Sequence, residues 1–136
     1  MLRKLNKAKA GFTLVEIMIV VAIIALLATI AVPNFLRARK RAQATTILEE
    51  MRVVEGAKDT WAIENNKKGT DQVTFPDITP YFKPGTRLAN SGGADLIGNA
   101  ITLTNVDTPA KVHADTVTEF NNVIDNAASF WGSYAN

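Results

Sequence analysis

Between Phe12 and Leu36 the chain runs for 25 residues with a single charge, Glu16. At 1.5 Å per residue a helix of that length crosses a hydrocarbon layer ~30 Å thick. A membrane-spanning helix over 12–36 is therefore the first expectation, and it absorbs much of the 47% hydrophobic content of the 136 residues. What is left suffices for one small core. A secretory signal peptide would also combine a basic start with an apolar stretch. The run here is long for one, Glu16 stands where the apolar region should begin, and Thr29 with Ala31 makes a mediocre cleavage site.

Charge is distributed unevenly around this run. Arg3, Lys4, Lys7 and Lys9 precede it without an acid, and without them eleven basic residues would face thirteen acidic ones, reversing the formal +2. If the chain were cut after Gly11, the basic pI would be a property of a removable leader, which argues against a nucleic-acid-binding domain. Arg37, Arg39, Lys40 and Arg41 follow the run with no aromatic residue between them for base stacking, and five acids follow by Glu64. Their position favours lipid headgroups over nucleic acid. Four basic residues on each side leave the positive-inside rule nearly tied, so charge alone does not orient the span.

Glu16 is the energetic anomaly. A carboxylate costs ~2.5–3.5 kcal/mol at the centre of a spanning helix and less toward the interface, and such residues are usually paired. A cut after Gly11 would create an α-ammonium on Phe12, one helical turn from Glu16 at i to i+4. The helix dipole would add only ~0.3–1 kcal/mol. Snorkelling to the interface is the simpler alternative, and the spacing does not choose between a pair within one chain and a pair between chains.

The sequence G-F-T-L-V-E after a short basic leader, followed by the apolar run and Pro33, resembles the N-terminal signature of type IV prepilins and of the pseudopilins of type II secretion. The resemblance implies that a prepilin peptidase cleaves between Gly11 and Phe12 and methylates the new N-terminus of Phe12. It assigns Glu16 and Pro33 to assembly, places the leader in the cytoplasm and the C-terminus outside the inner membrane, and makes the chain a homopolymer built on an inner-membrane platform. The function implied is a structural subunit of a type IV pilus-like filament, drawn from membrane lipid. The alternatives are a pseudopilin of a type II secretion system and a monomeric membrane-anchored binding protein, which would need no cut. In the distal region "ADLIGNA" is similar to the D-P-W-G-N-P-Y segment of major pseudopilins at Asp95, Gly98 and Asn99, without its proline and tryptophan. The calcium-binding loop of that group and the C-terminal cysteine pair of many pilins have no counterpart.

Pro33 lacks an N–H and leaves the Thr29 carbonyl without its helical partner, a perturbation of ~3 kcal/mol that predicts a kink or mild bend. Beyond it, Ala44, Ile47, Leu48, Met51, Val54, Ala57 and Trp61 recur at steps of three or four, the pattern of an amphipathic helix over 37–66. Glu55 and Lys58 are expected on its exposed side, and Asn65, Asn66 and Gly69 at its stop. Counted from Phe12 to Glu64, this makes ~80 Å of helix if continuous. Residues 67–136 form a small loop-rich head. Within it, Ile78 to Phe82 suit one short turn, "AITLTNV" and "AKVHADT" suit two antiparallel strands, and Thr116 with Glu119 suits a capping box before a final helix from Val117 to Ala128. The fold class expected is α+β: a long N-terminal helix whose distal half packs on a head with a minor antiparallel sheet and a short C-terminal helix. The divisions are 1–11, 12–36, 37–66 and 67–136.

Catalysis has little support. There is no cysteine for a thiolate site, and the base of any triad would have to be His113, the only histidine, which at its place next to Val112 reads as a surface or strand residue. No catalytic residue, cofactor or metal site is expected. Phe130, Trp131 and Tyr134 read as core packing around the final helix.

Overall fold

The computed structural model describes residues 11–135, so the leader residues 1–10 lie outside the described residues. Helix α1 covers Leu14–Glu64 and includes Pro33. The chain divides into two compact units, one ending at Leu36 and one beginning at Arg37.

In the first unit every described residue is exposed. Sixteen large apolar side chains from Phe12 to Leu36 are at least half exposed. Near Pro33, the Thr29 hydroxyl donates to the Ala25 carbonyl at 2.9 Å, which satisfies a polar group that an apolar surrounding would otherwise orphan.

In the second unit the α1 periodicity is realised as expected: Ala44, Ile47, Met51, Val54, Ala57 and Trp61 are buried, with Leu48 half-buried. The helix stops after Glu64 because Asn66 adopts a left-handed φ of 50° and the Lys67 N–H turns back to the Ala62 carbonyl at 2.9 Å. Against this face pack four short helices, α2 (Phe75–Ile78), α3 (Arg87–Asn90), α4 (Ala114–Phe120) and α5 (Ala127–Trp131), with single 3₁₀ turns at Thr79–Tyr81 and Gly132–Tyr134. Trp131 is 1% exposed, edge-on to Phe130 and tilted against Phe120, so the aromatic cluster is core.

Four expectations need correction. No strand occurs among the described residues, so the minor antiparallel sheet is not there and the fold is mostly helical. Only isolated antiparallel bridges form, Gln72 with Asn105, Ala94 with Ala100 and Thr102 with Lys111. The physical reason lies in where the backbone of 100–106 finds its partners: Ile101 bonds to Gly93, Thr102 to Lys111, Thr104 to Val73 and Val106 to Asp71. Neighbouring residues serve different segments, and a ladder needs them to serve one.

The final helix is two helices rather than one. Its capping is also different, since His113 caps α4 by accepting the Asp115 N–H, while Thr116 is fully buried and donates to Asp95 at 2.5 Å. Asp95 accepts the N–H groups of Ile97 and Asn99 at 3.0 and 2.9 Å, and the Asn99 side chain donates to Thr116 at 2.8 Å. Gly98, at φ 97°, closes that turn where a side chain would be strained.

Lys58 is not on the exposed side. It is 1% exposed, donates to the Thr108 carbonyl at 2.7 Å and pairs with Glu55 at 2.8 Å, while Glu55 accepts the Ala110 N–H. An i to i+3 pair on a helix fixes mutual distance and says nothing of which side faces the core. A second clamp comes from Arg87, which holds Glu50 of α1 through two donors and also bonds the carbonyls of Ala94 and Asp95 at 3.0 and 2.7 Å. Together these tie the loops at 94–99 and 108–110 to α1 without a sheet.

Candidate processing and assembly site

The residues expected to carry processing and assembly are Gly11, Phe12, Glu16 and Pro33, and all four lie in the first unit. Gly11 is exposed, and a Cβ placed on it would meet no atom within 4 Å. Nothing among the described residues requires glycine at this position. A requirement for it would have to come from a partner that approaches the backbone. Phe12 is 84% exposed, so the bond joins two exposed residues.

Thr13 is the residue that the sequence reading passed over. It precedes the first helical residue, and its hydroxyl accepts the Glu16 N–H at 3.2 Å. Glu16 reciprocates, its Oε2 accepting the Thr13 N–H at 2.7 Å and the Thr13 hydroxyl at 2.8 Å. This is a capping box, and its signal, T-x-x-E immediately before an apolar run, was present in T-L-V-E. It satisfies two of the N–H groups that a helix start leaves orphaned. It also holds the Glu16 carboxylate against the backbone N–H of Thr13, the residue after Phe12. Oε1 makes no hydrogen bond among the described residues, so an acceptor remains for a second donor. In the intact chain the Phe12 nitrogen is an amide, and only a cut after Gly11 would make it a cation.

Pro33 is exposed within α1, 17 residues beyond Glu16 in the sequence, so the structure does not bring the two together. The helix is long and apolar enough to cross a membrane. Fully burying a side chain of this size is worth roughly 1.5–3 kcal/mol, so sixteen that stay at least half exposed leave on the order of 10 kcal/mol or more of burial that the segment's own fold does not supply. The segment therefore requires an apolar surrounding supplied from outside its own fold.

Residues 6–32 match the family model of the prokaryotic N-terminal methylation motif. The chain carries that motif. It is 42% identical over 65 residues to the type IV wide pilus major component PilA4 of Thermus thermophilus, a match covering 48% of this chain and 50% of the relative. It is 31% identical over 85 residues to the type II secretion system core protein G of Klebsiella pneumoniae, covering 61% of each. A fimbrial protein of Pseudomonas aeruginosa is 39% identical over 93 residues, covering 66% of this chain and 59% of the relative. The chain thus spans between half and two thirds of the length of these curated relatives. Both branches of the resemblance, the pilus and the secretion system, are represented among them. No solved structure matches the chain.

Among the described residues no three His, Cys, Asp or Glu side chains come together as a metal site. His113 is half-exposed and its Nδ1 serves as the α4 cap.

Proposed function

We propose that the chain is a structural, non-catalytic subunit of a type IV pilus-like filament, cut after Gly11, methylated on Phe12 and polymerised through its N-terminal helix. The observation that carries this reading is the contrast inside the first unit: an apolar helix with no buried residue, headed by an accessible Gly11–Phe12 bond and a carboxylate with a spare acceptor. Prepilin peptidase recognises the leader and the glycine. The chain is stored in the inner membrane with its C-terminus outside the cytoplasm, where lipid covers the helix. Extraction by an assembly platform exchanges lipid for neighbouring helices, and head-to-tail contacts that do not close generate an open helical filament at the cell surface.

In this scheme Glu16 acts twice. The capping box orients it within one chain, and in the bundle its free oxygen receives the Phe12 ammonium of the incoming subunit, fixing axial register where an unpaired carboxylate is costly. Pro33 supplies a weak point in the helix that can open during assembly.

The match to core protein G relatives over 61% of the chain supports a second reading, a pseudopilin of a periplasmic pseudopilus in a type II secretion system. Deleting the gene separates the two: loss of surface filaments supports the pilus, and loss of exported proteins from the medium with filaments intact supports the pseudopilus. Mass spectrometry of the mature chain tests what both share. The expected mass is that of residues 12–136 plus one methyl group, and a chain beginning at Met1 would overturn both.

A further inference from the structure

We infer that Arg37 and Arg39 form a binding surface for anionic phospholipid, each guanidinium holding the phosphate of a separate headgroup. The assignment rests on reading residues 12–36 as a membrane span. Four cations follow that span, and the structure divides them into two kinds. Lys40 pairs with Glu119 at 2.6 Å and Arg41 with Asp125 at 2.9 Å, so these two are already used in fastening α4 and the segment after it to α1. Arg37 and Arg39 are exposed and make no ion pair and no side-chain hydrogen bond among the described residues. The next acids along α1, Glu49 and Glu50, are engaged by Arg52 and Arg87. They also lie at least ten residues on, or ~15 Å along the helix.

Depth and geometry both select a phospholipid phosphate. Arg37 and Arg39 stand one and three residues after Leu36, the last apolar residue of the run, so their rise beyond it is only ~1.5 and ~4.5 Å. That is the layer at which a hydrocarbon core gives way to phosphates, and a flexible apolar stem lets each head reach it. A guanidinium presents paired donors that match two phosphate oxygens at once. Two residues of helix correspond to a turn of about 200°, which sends the two side chains to opposite sides of α1. One flat polyanion such as a duplex could not meet both. Two separate lipids can, and a net negative headgroup offers what a zwitterionic one cancels.

The test reconstitutes the full chain into bilayers of equal parts phosphatidylcholine and phosphatidylglycerol, releases it in mild detergent and counts retained lipids by native mass spectrometry. The unaltered chain is expected to keep two phosphatidylglycerol molecules, R37Q or R39Q one, and the double variant none, while K40Q/R41Q keeps two. An unchanged melting temperature of the double variant shows that the head is intact. Equal retention by R37Q/R39Q and the unaltered chain would overturn the inference, as would loss of lipid in K40Q/R41Q alone. Filaments impaired in R37Q/R39Q with lipid retention unchanged would assign these arginines to a neighbouring subunit instead, also overturning it. Release of the chain from vesicles by alkaline carbonate is a separate result, which would overturn the membrane reading beneath it.

Discussion

The two units of this chain use hydrophobic residues in opposite ways. From Phe12 to Leu36 sixteen large apolar side chains are exposed, whereas from Ala44 to Trp131 seventeen hydrophobic residues are buried in one cluster. The head contains its own solvent-excluded core and fastens its loops with buried polar clamps. Among the described residues, the N-terminal unit has no core and no clamp beyond the Thr13–Glu16 cap. A chain that is complete in one part and uncovered in the other is built to have the second part covered by something else. Substitutions should therefore separate cleanly: changes in the first unit should alter processing and assembly with the head's stability untouched, and changes in the second should do the reverse.

The sharpest attempt to break this separation is Gly11→Val. A Cβ added here meets nothing within 4 Å among the described residues, so the effect is expected to arise at a partner. Mass spectrometry should find the leader retained, electron microscopy should find no filaments, and calorimetry should find an unchanged melting temperature. Filaments formed with the leader intact would defeat the processing model.

Glu16→Ala is expected to be cleaved after Gly11 and to persist in the membrane, yet to assemble poorly. Filament number should drop on the order of tenfold or more, since about 1.4 kcal/mol at a single contact is already tenfold. Co-expressed with the unaltered subunit, it should shorten filaments. Normal assembly would reduce Glu16 to a helix cap, and loss of cleavage would move its role to peptidase recognition.

In the head, Lys58→Ala leaves Glu55 partly buried beside a vacated ammonium and should cost about 3 kcal/mol in urea denaturation, with leader removal unaffected. The double change Lys58→Met with Glu55→Gln removes both charges and keeps an acceptor for Ala110, so it should recover most of that loss. Failure to recover would mean that the pair itself, rather than an uncompensated charge, stabilises the head.

The smallest effect concerns α2. The Thr74 hydroxyl and N–H bond to the Asp77 carboxylate and hold its pKa below the ordinary carboxylate value. Thr74→Ala should cost about 1 kcal/mol. A depressed pKa contributes stability that is complete above the unfolded value and is lost as pH falls through the lower folded value. The stability difference between the unaltered chain and Asp77→Asn should therefore be constant near neutrality and shrink on acidification through that window. A difference that grew as pH fell would reverse the assignment.

Much of this molecule was legible in its residues, and the errors share one cause. The apolar run, the 3.6-residue periodicity from Ala44 to Trp61 and the stop at Asn66 are local patterns, and local patterns suffice for a helix because each turn satisfies its own backbone. The methylation motif is local too. The Thr13–Glu16 capping box is local as well, written in T-L-V-E as T-x-x-E before an apolar run. The sheet could not be settled the same way. "AITLTNV" alternates well enough for a strand, but its hydrogen bonds are shared among Gly93, Lys111, Val73 and Asp71, partners distributed from residue 71 to 111.

What the sequence determined by itself is the long helix, the uncovered apolar unit at its start and the N-terminal methylation motif that overlaps it, all consequences of composition and spacing along one stretch of chain. Only the tertiary structure decided that Lys58 turns inward to Glu55 and Thr108, that Thr116 serves Asp95 rather than a helix cap, and that Lys40 and Arg41 are taken by Glu119 and Asp125 while Arg37 and Arg39 stay free of ion pairs among the described residues. The partners in each case lie 21 to 84 residues apart, apart from the Glu55 contact. A polar side chain's role depends on which opposite group the fold brings within ~3 Å, and spacing along the chain carries no information about a neighbour that arrives from elsewhere in it.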